Sequence, residues 1–158
     1  MEEYRQAAAR LRRAVPGMAL TTDAIVGFPT ESEGDFEATR AFMDEMGFDN
    51  AFVFKYSPRP GTPAEALPDD VPAAEKLRRN KVLLADQDRR RRESNRRLVG
   101  TGVEVLVEGV SARNAARWSG RTRSNQIVVF EPSPGVAVGD LVRANVSRAT
   151  PQTLYAEV

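Results

Sequence analysis

Two short segments hold residue types and spacings from which a binding site could be built. The first is Asp23-Ala24-Ile25-Val26-Gly27-Phe28-Pro29-Thr30-Glu31-Ser32. Gly27 permits close backbone approach, Pro29 stiffens the turn, and Glu31 falls just before an expected helix N-terminus. The plainer reading is a strand-to-helix turn capped by Ser32. The second is Tyr56-Ser57-Pro58-Arg59-Pro60-Gly61-Thr62-Pro63. Prolines on both sides of Arg59 pre-set the backbone, which lowers the entropic cost of holding one guanidinium in place. Its planar fork of donors suits a carboxylate or a phosphate. The alternative is a stiff connector with a solvated arginine.

A third group, Arg113, Arg117, Trp118, Arg121 and Arg123, gathers four cations around one aromatic ring. Arginines neutralise phosphates and an aromatic face can stack an unpaired base, so this group could bind RNA. Trp118 is equally suited to fill the core of a small barrel, in which case the arginines only solvate a hairpin.

Other chemistry is excluded by what the chain lacks. It has no cysteine and no histidine. A thiolate nucleophile, a disulfide and Cys-ligated zinc or iron–sulfur are therefore ruled out, as are the usual general base and the commonest metal ligand. We assign no catalytic residue and no metal ligand in this chain.

The elements that must position these residues follow from periodicity. Residues 2–15 read as a helix with Tyr4, Ala8, Leu11 and Val15 on one face, stopped by Pro16-Gly17. Met18–Phe28 reads as a buried strand. Ser32 should cap a helix whose first turn carries Glu33, Asp35 and Glu37, with Gly47 ending it. Ala51–Tyr56 reads as a second strand. The front is thus α-β-α-β, the pattern of a parallel sheet with crossover helices. Two strands bury too little to be a complete α/β domain, so this part looks like a piece of a larger sheet.

Residues 57–72 hold five of the ten prolines and read as irregular. Ala73–Leu98 should be a long charged helix, with Leu77, Leu84 and Leu98 in seven-residue register and a run Arg89-Arg90-Arg91-Arg92 that is mostly a solvated face. Then come five short alternating strands, Val103–Val110, Ala116–Gly120, Gln126–Glu131, Leu141–Val146 and Thr153–Val158, as in a closed barrel of the OB type.

Net charge is +1 in 158 residues, but it is segregated. Residues 1–68 carry seven basic against eleven acidic side chains, residues 69–102 ten against six, and residues 103–158 six against five. A nucleic-acid contact is therefore expected in the second half. No apolar run is long enough to cross a membrane, and the start Met1-Glu2-Glu3-Tyr4 lacks the features of a secretory signal, so a cytoplasmic location is expected.

These residues, taken in order, resemble a known family. Tyr4, Leu11-Arg12, Pro16, Thr22-Asp23-Ala24-Ile25-Val26-Gly27-Phe28-Pro29, Asp35-Phe36, Phe48-Asp49 and Tyr56-Ser57-Pro58-Arg59-Pro60-Gly61-Thr62-Pro63-Ala64 resemble the back half of the radical-SAM core of methylthiotransferases. Val107-Glu108-Gly109, Gly120-Arg121-Thr122 and Asn125 resemble their TRAM domain. The sequence departs from the family at Thr30 and Ser32, where Gly-Glu-Thr is usual around Glu31.

The resemblance implies a partial radical-SAM barrel over residues 1–72, a linking helix over 73–98 and a TRAM RNA-binding barrel over 99–158. It is nearest the branch that adds a methylthio group to isopentenylated adenosine beside the tRNA anticodon. The alternatives are the branches acting on threonylcarbamoyl-adenosine or a ribosomal protein, or a non-catalytic RNA-binding module. Two 4Fe-4S clusters and S-adenosylmethionine are implied for the full-length family, with no cluster on this chain, because the cysteines that hold them are not in it. Carried onto this sequence, Asp23, Gly27, Pro29 and Glu31 would line the side facing S-adenosylmethionine, where carboxylates suit its sulfonium and amine. Ser57 and Arg59 would face the cofactor or the target nucleotide. Arg113, Arg117, Arg121, Arg123 and Asn125 would hold the tRNA anticodon stem-loop. A monomer is expected for the full-length protein.

Overall fold

A computed structural model describes residues 1–158, which divide into two compact units, Met1–Gln87 and Asp88–Val158. In the first unit, helix α1 spans Glu2–Ala14, strand β1 Thr21–Val26, helix α2 Glu33–Met46 and strand β2 Asn50–Lys55. The strands pair in parallel, from Thr21↔Asn50 to Val26↔Lys55.

Alternation along them separates two faces. Ala24, Val26, Ala51 and Val53 turn toward a core completed by Ala8, Phe36, Met43, Met46, Phe48 and Leu83. Asp23, Ile25, Phe52 and Phe54 occupy the opposite face and are exposed.

Local chemistry sets the helix ends. Ser32 caps α2 in a reciprocal capping box with Asp35, each side chain meeting the other residue's backbone N–H. Gly47 closes the helix in the left-handed conformation, φ 55°. Arg12 donates from α1 to the carbonyl of Met46 at 2.6 Å, placing a cation at the negative end of the α2 dipole. Of the expected α1 face, Ala8 is buried while Leu11 and Val15 are exposed.

A 3-10 turn at Pro63–Ala66 breaks the proline-rich segment, and helix α3 runs from Ala73 to Arg96. Of the seven-residue leucine row, Leu77 and Leu84 face no core, being 42% and 44% exposed, whereas Leu98 packs against the core of the second unit. The buried row in the first unit is Lys76, Arg79, Leu83 and Gln87. Three of these four are polar because they pack against loop carbonyls and carboxylates, which require donors.

The second unit holds a closed barrel of β3 (Gly102–Ser111), β4 (Asn114–Arg121), β5 (Ile127–Phe130), β6 (Leu141–Ala149) and β7 (Thr153–Glu157), in the order β3-β4-β5-β7-β6. All pairings are antiparallel except β5–β7. Val105, Val107, Val128, Phe130, Ala144, Val146, Leu154 and Ala156 fill the interior, and Trp118 and Leu98 pack against them. Gly120 sits where β4 crosses close over β3; a Cβ there would collide with the Leu106 carbonyl oxygen and Val105 Cγ1. At the end of α3 in this unit, Asn95 donates to the carbonyl of Thr150 at 2.8 Å and accepts from Gln126 at 2.9 Å.

Candidate functional site

The two loops singled out in the sequence leave the carboxyl ends of adjacent parallel strands and touch. Tyr56 N–H donates to the Val26 carbonyl at 2.9 Å, and the Phe28 and Tyr56 rings meet edge to face, 5.1 Å between centroids. In the first loop Glu31 is turned inward. Its carboxylate accepts the N–H groups of Gly27 and of Phe28, the latter at 2.9 Å. Arg79 donates to the Glu31 carbonyl at 3.0 Å and lies 3.3 Å from its carboxylate. Gly27 and Pro29 are buried, and Gly27 (φ 70°) lies so close to the Lys76 stem that a side chain there would strike it. Thr30 takes φ 69°, a left-handed conformation costly for a β-branched residue, and its N–H donates to Asp70 at 2.8 Å. Asp23 stands apart from this cluster, exposed on the open sheet face opposite Phe52.

In the second loop the backbone is held and the head group is not. Thr62 donates its hydroxyl to the Arg59 carbonyl at 2.8 Å, and Gly61 N–H donates to Glu65 at 2.7 Å. Ser57 and Arg59 are exposed. Lys76 anchors the loop base: its buried ammonium lies 5.1 Å over the Tyr56 ring, pairs with Asp69 and donates to the Tyr56 carbonyl at 3.4 Å. Arg79 and Lys76 were missed in the sequence because a polar row on a charged helix reads as solvated. The one available signal was their regular spacing with Leu83 and Gln87.

Charge in this cluster is tightly matched. The Arg78 guanidinium, hydrogen-bonded to Glu75 beside Arg79, lowers the Glu75 carboxyl from its ordinary 4.5 to about 2. Asp35 is likewise held low, chiefly by its hydrogen bond with the Ser32 side chain.

On the barrel, each of three candidate arginines sits against a carboxylate from another strand or its flank. Arg117 pairs with Glu131 at 3.1 Å, Arg121 with Glu108 at 3.2 Å, and Arg123 with Glu104 at 2.8 Å. Arg121 also donates to the Asn125 side chain at 2.8 Å, and Asn125 turns the β4–β5 connection with φ 61°. Arg113 lies exposed in the β3–β4 hairpin. These pairs are solvent-exposed and contribute little to stability. They do restrict where the guanidinium heads sit, while each head keeps further N–H donors for a ligand. Sequence reading could not supply the partner carboxylates, since strand register decides them.

Iron–sulfur ligation does not fit this chain, which offers no thiolate and no group of three metal-binding side chains. No helix is long and apolar enough to cross a membrane.

Known proteins similar to this chain cover both units. Residues 96–158 match the TRAM domain. The chain is 46% identical over 157 residues to the tRNA-2-methylthio-N(6)-dimethylallyladenosine synthase of Moorella thermoacetica, covering 99% of this chain and 35% of that protein. It is 44% identical over 154 residues to the synthase of the same name from Akkermansia muciniphila (98% and 33%) and 44% identical over 156 residues to that of Porphyromonas gingivalis (98% and 34%). It spans about a third of the length of these curated relatives. The chain carries a TRAM domain over residues 96–158 and is similar, over nearly its whole length, to the C-terminal part of these synthases.

Proposed function

We propose that this chain is the tRNA-holding part of a methylthiotransferase that modifies C2 of isopentenylated adenosine next to the anticodon. The observation that carries the reading is the single run of similarity over 157 residues, which spans both units and not the barrel alone. In this reading residues 1–72 are the end of the radical-SAM core, 73–98 a linking helix, and 99–158 the RNA-binding barrel. S-adenosylmethionine and two 4Fe-4S clusters supply the radical and sulfur chemistry, with the cluster thiolates coming from outside these residues.

The roles of this chain's own groups follow from their placement. Asp23 on the open face, beside Ile25, Phe52 and Phe54, offers a carboxylate and apolar surface to a cationic, adenosine-bearing cofactor. Gly27, Pro29 and Glu31 act as the rigid frame of that loop, since the Glu31 carboxylate is already bonded to backbone N–H groups. Ser57 and Arg59 face the cofactor or the target nucleotide. Arg113, Arg117, Arg121, Arg123 and Asn125 hold the anticodon stem-loop through its phosphates. The reading carries a cytoplasmic location and a monomer.

The test is a salt titration of stem-loop binding. Each phosphate contact adds a slope of roughly −0.7 to −0.9 in log K against log salt. Arg121→Ala should flatten the slope by about one unit and weaken two unrelated stem-loops by a similar factor. Salt-independent binding, or loss of only one stem-loop, would refute the phosphate assignment.

A further inference from the structure

The shortest barrel strand leaves an opening in the wall. β5 pairs with β4 only from Trp118↔Phe130 to Arg121↔Ile127, and with β7 from Ile127↔Thr153 to Phe130↔Ala156. Past Phe130 the chain leaves as Glu131-Pro132-Ser133-Pro134, while β4 extends back to Asn114 and β7 on to Glu157. Where β5 is missing lies a cleft of about 380 Å³, lined among others by Arg117, Glu131, Pro132, Pro134, Tyr155 and Glu157. That volume is in the range of small-ligand sites.

Its chemistry narrows the ligand. The Arg117 charge is met by Glu131 at 3.1 Å, whereas the exposed Glu157 is in no ion pair and is left to meet a ligand. The Glu157 carboxylate oxygens are open to N–H donors. Pro132 and Pro134 give apolar lips with no N–H to compete. The Tyr155 ring is braced by the Arg148 guanidinium, 3.7 Å from its centroid. A flat face with a donor edge fits these walls, and unpaired RNA bases are bound in this way, by stacking and through their pairing edges.

We propose that this cleft takes one unpaired guanine of the bound RNA, with Glu157 accepting from N1–H and the 2-amino group and the ring stacking against Tyr155 or the proline lips. The inference rests on the RNA-binding reading above and adds a base contact to its phosphate contacts. Adenine, which lacks the paired N1–H and 2-amino donors, fits less well.

The test uses the whole chain with guanosine 5′-monophosphate, adenosine 5′-monophosphate and inorganic phosphate as probes, read by backbone amide NMR shifts and by fluorescence of Trp118, the only tryptophan. The guanosine nucleotide should shift the amides of Glu131, Tyr155 and Glu157, the adenosine nucleotide should bind several-fold more weakly, and phosphate should leave these three unmoved. Losing the two-point contact in Glu157→Gln should weaken guanosine nucleotide binding roughly ten-fold. Tyr155→Leu should weaken both nucleotides, with the amide spectrum of each variant reporting its fold. Equal response to both nucleotides, competition by phosphate, or an unchanged Glu157→Gln would overturn the proposal. Stem-loop binding with the expected salt slope but no nucleotide response at the cleft would sink the guanine site and leave the RNA reading standing. Loss of both would remove the two together.

Discussion

Arg79 and Glu31 are 48 positions apart, yet one guanidinium nitrogen lies 3.0 Å from the Glu31 carbonyl and 3.3 Å from its carboxylate. The side chains are only 5% and 11% exposed. Because the same carboxylate accepts the N–H groups of Gly27 and Phe28, a helix after the sheet fixes the conformation of the turn after its first strand. The loop is shaped by α3 as much as by its own sequence.

Removing that cation should therefore cost far more than a surface ion pair. Arg79→Met leaves a buried carboxylate without its partner and should destabilise the first unit by roughly 3 kcal/mol. Urea unfolding followed by circular dichroism measures this, and amide exchange at Gly27 and Phe28 should accelerate in parallel. An unchanged midpoint would mean that Glu31 is held by the backbone alone.

Thr30 offers the opposite case. Its φ of 69° is one a glycine adopts without strain, so Thr30→Gly should raise stability by roughly 1 kcal/mol, relief of strain outweighing the greater freedom of the unfolded chain. The N–H donated to Asp70 is retained. A loss of stability in the thermal midpoint would refute the strain argument.

In the barrel, Gly120→Ala should destabilise by about 1–3 kcal/mol, since the new methyl meets backbone and Val105 and cannot be met by a flexible neighbour moving away. Trp118 fluorescence during thermal unfolding reports this unit, because the ring packs on the barrel core.

Acid should act on the first unit through Glu75. Its carboxyl is held at about 2 against an ordinary 4.5, so the folded state binds its proton less readily than the unfolded chain. The stabilisation is complete above about pH 4.5 and is lost as pH falls toward 2. Urea melts across that interval should show a shallower pH dependence for Glu75→Gln than for the unaltered chain, and equal slopes would assign the acid limb to other carboxylates.

How much of this was legible depended on the range of each interaction. Ser32, Asp35 and Gly47 act on backbone within a few residues, so the ends of α2 could be read directly. Alternation gave the five barrel strands, each within a few residues of its observed span. The buried row of α3 was not legible, because the loops packed there need donors and polar Lys76 and Arg79 supply them. The loop positions Gly27, Glu31 and Arg59 were found at the strand ends, but Glu31 facing inward depends on a contact 48 residues distant that no local pattern encodes. The same holds for Glu104, Glu108 and Glu131, which meet their arginines only once strand register is set.

The parallel β5–β7 pair has a consequence for how the barrel is made. β3, β4 and β5 can associate in sequence as they are synthesised, each beside its predecessor. The ring cannot close until β7 has emerged, because β7 alone joins β5 to β6. At a synthesis rate of about 5–20 residues per second, the nascent chain spends on the order of seconds with the β5 edge bare. A bare edge of Ile127-Val128-Val129-Phe130 is a template for pairing with another chain, so the ribosome-bound interval is when this domain is most exposed to misassociation.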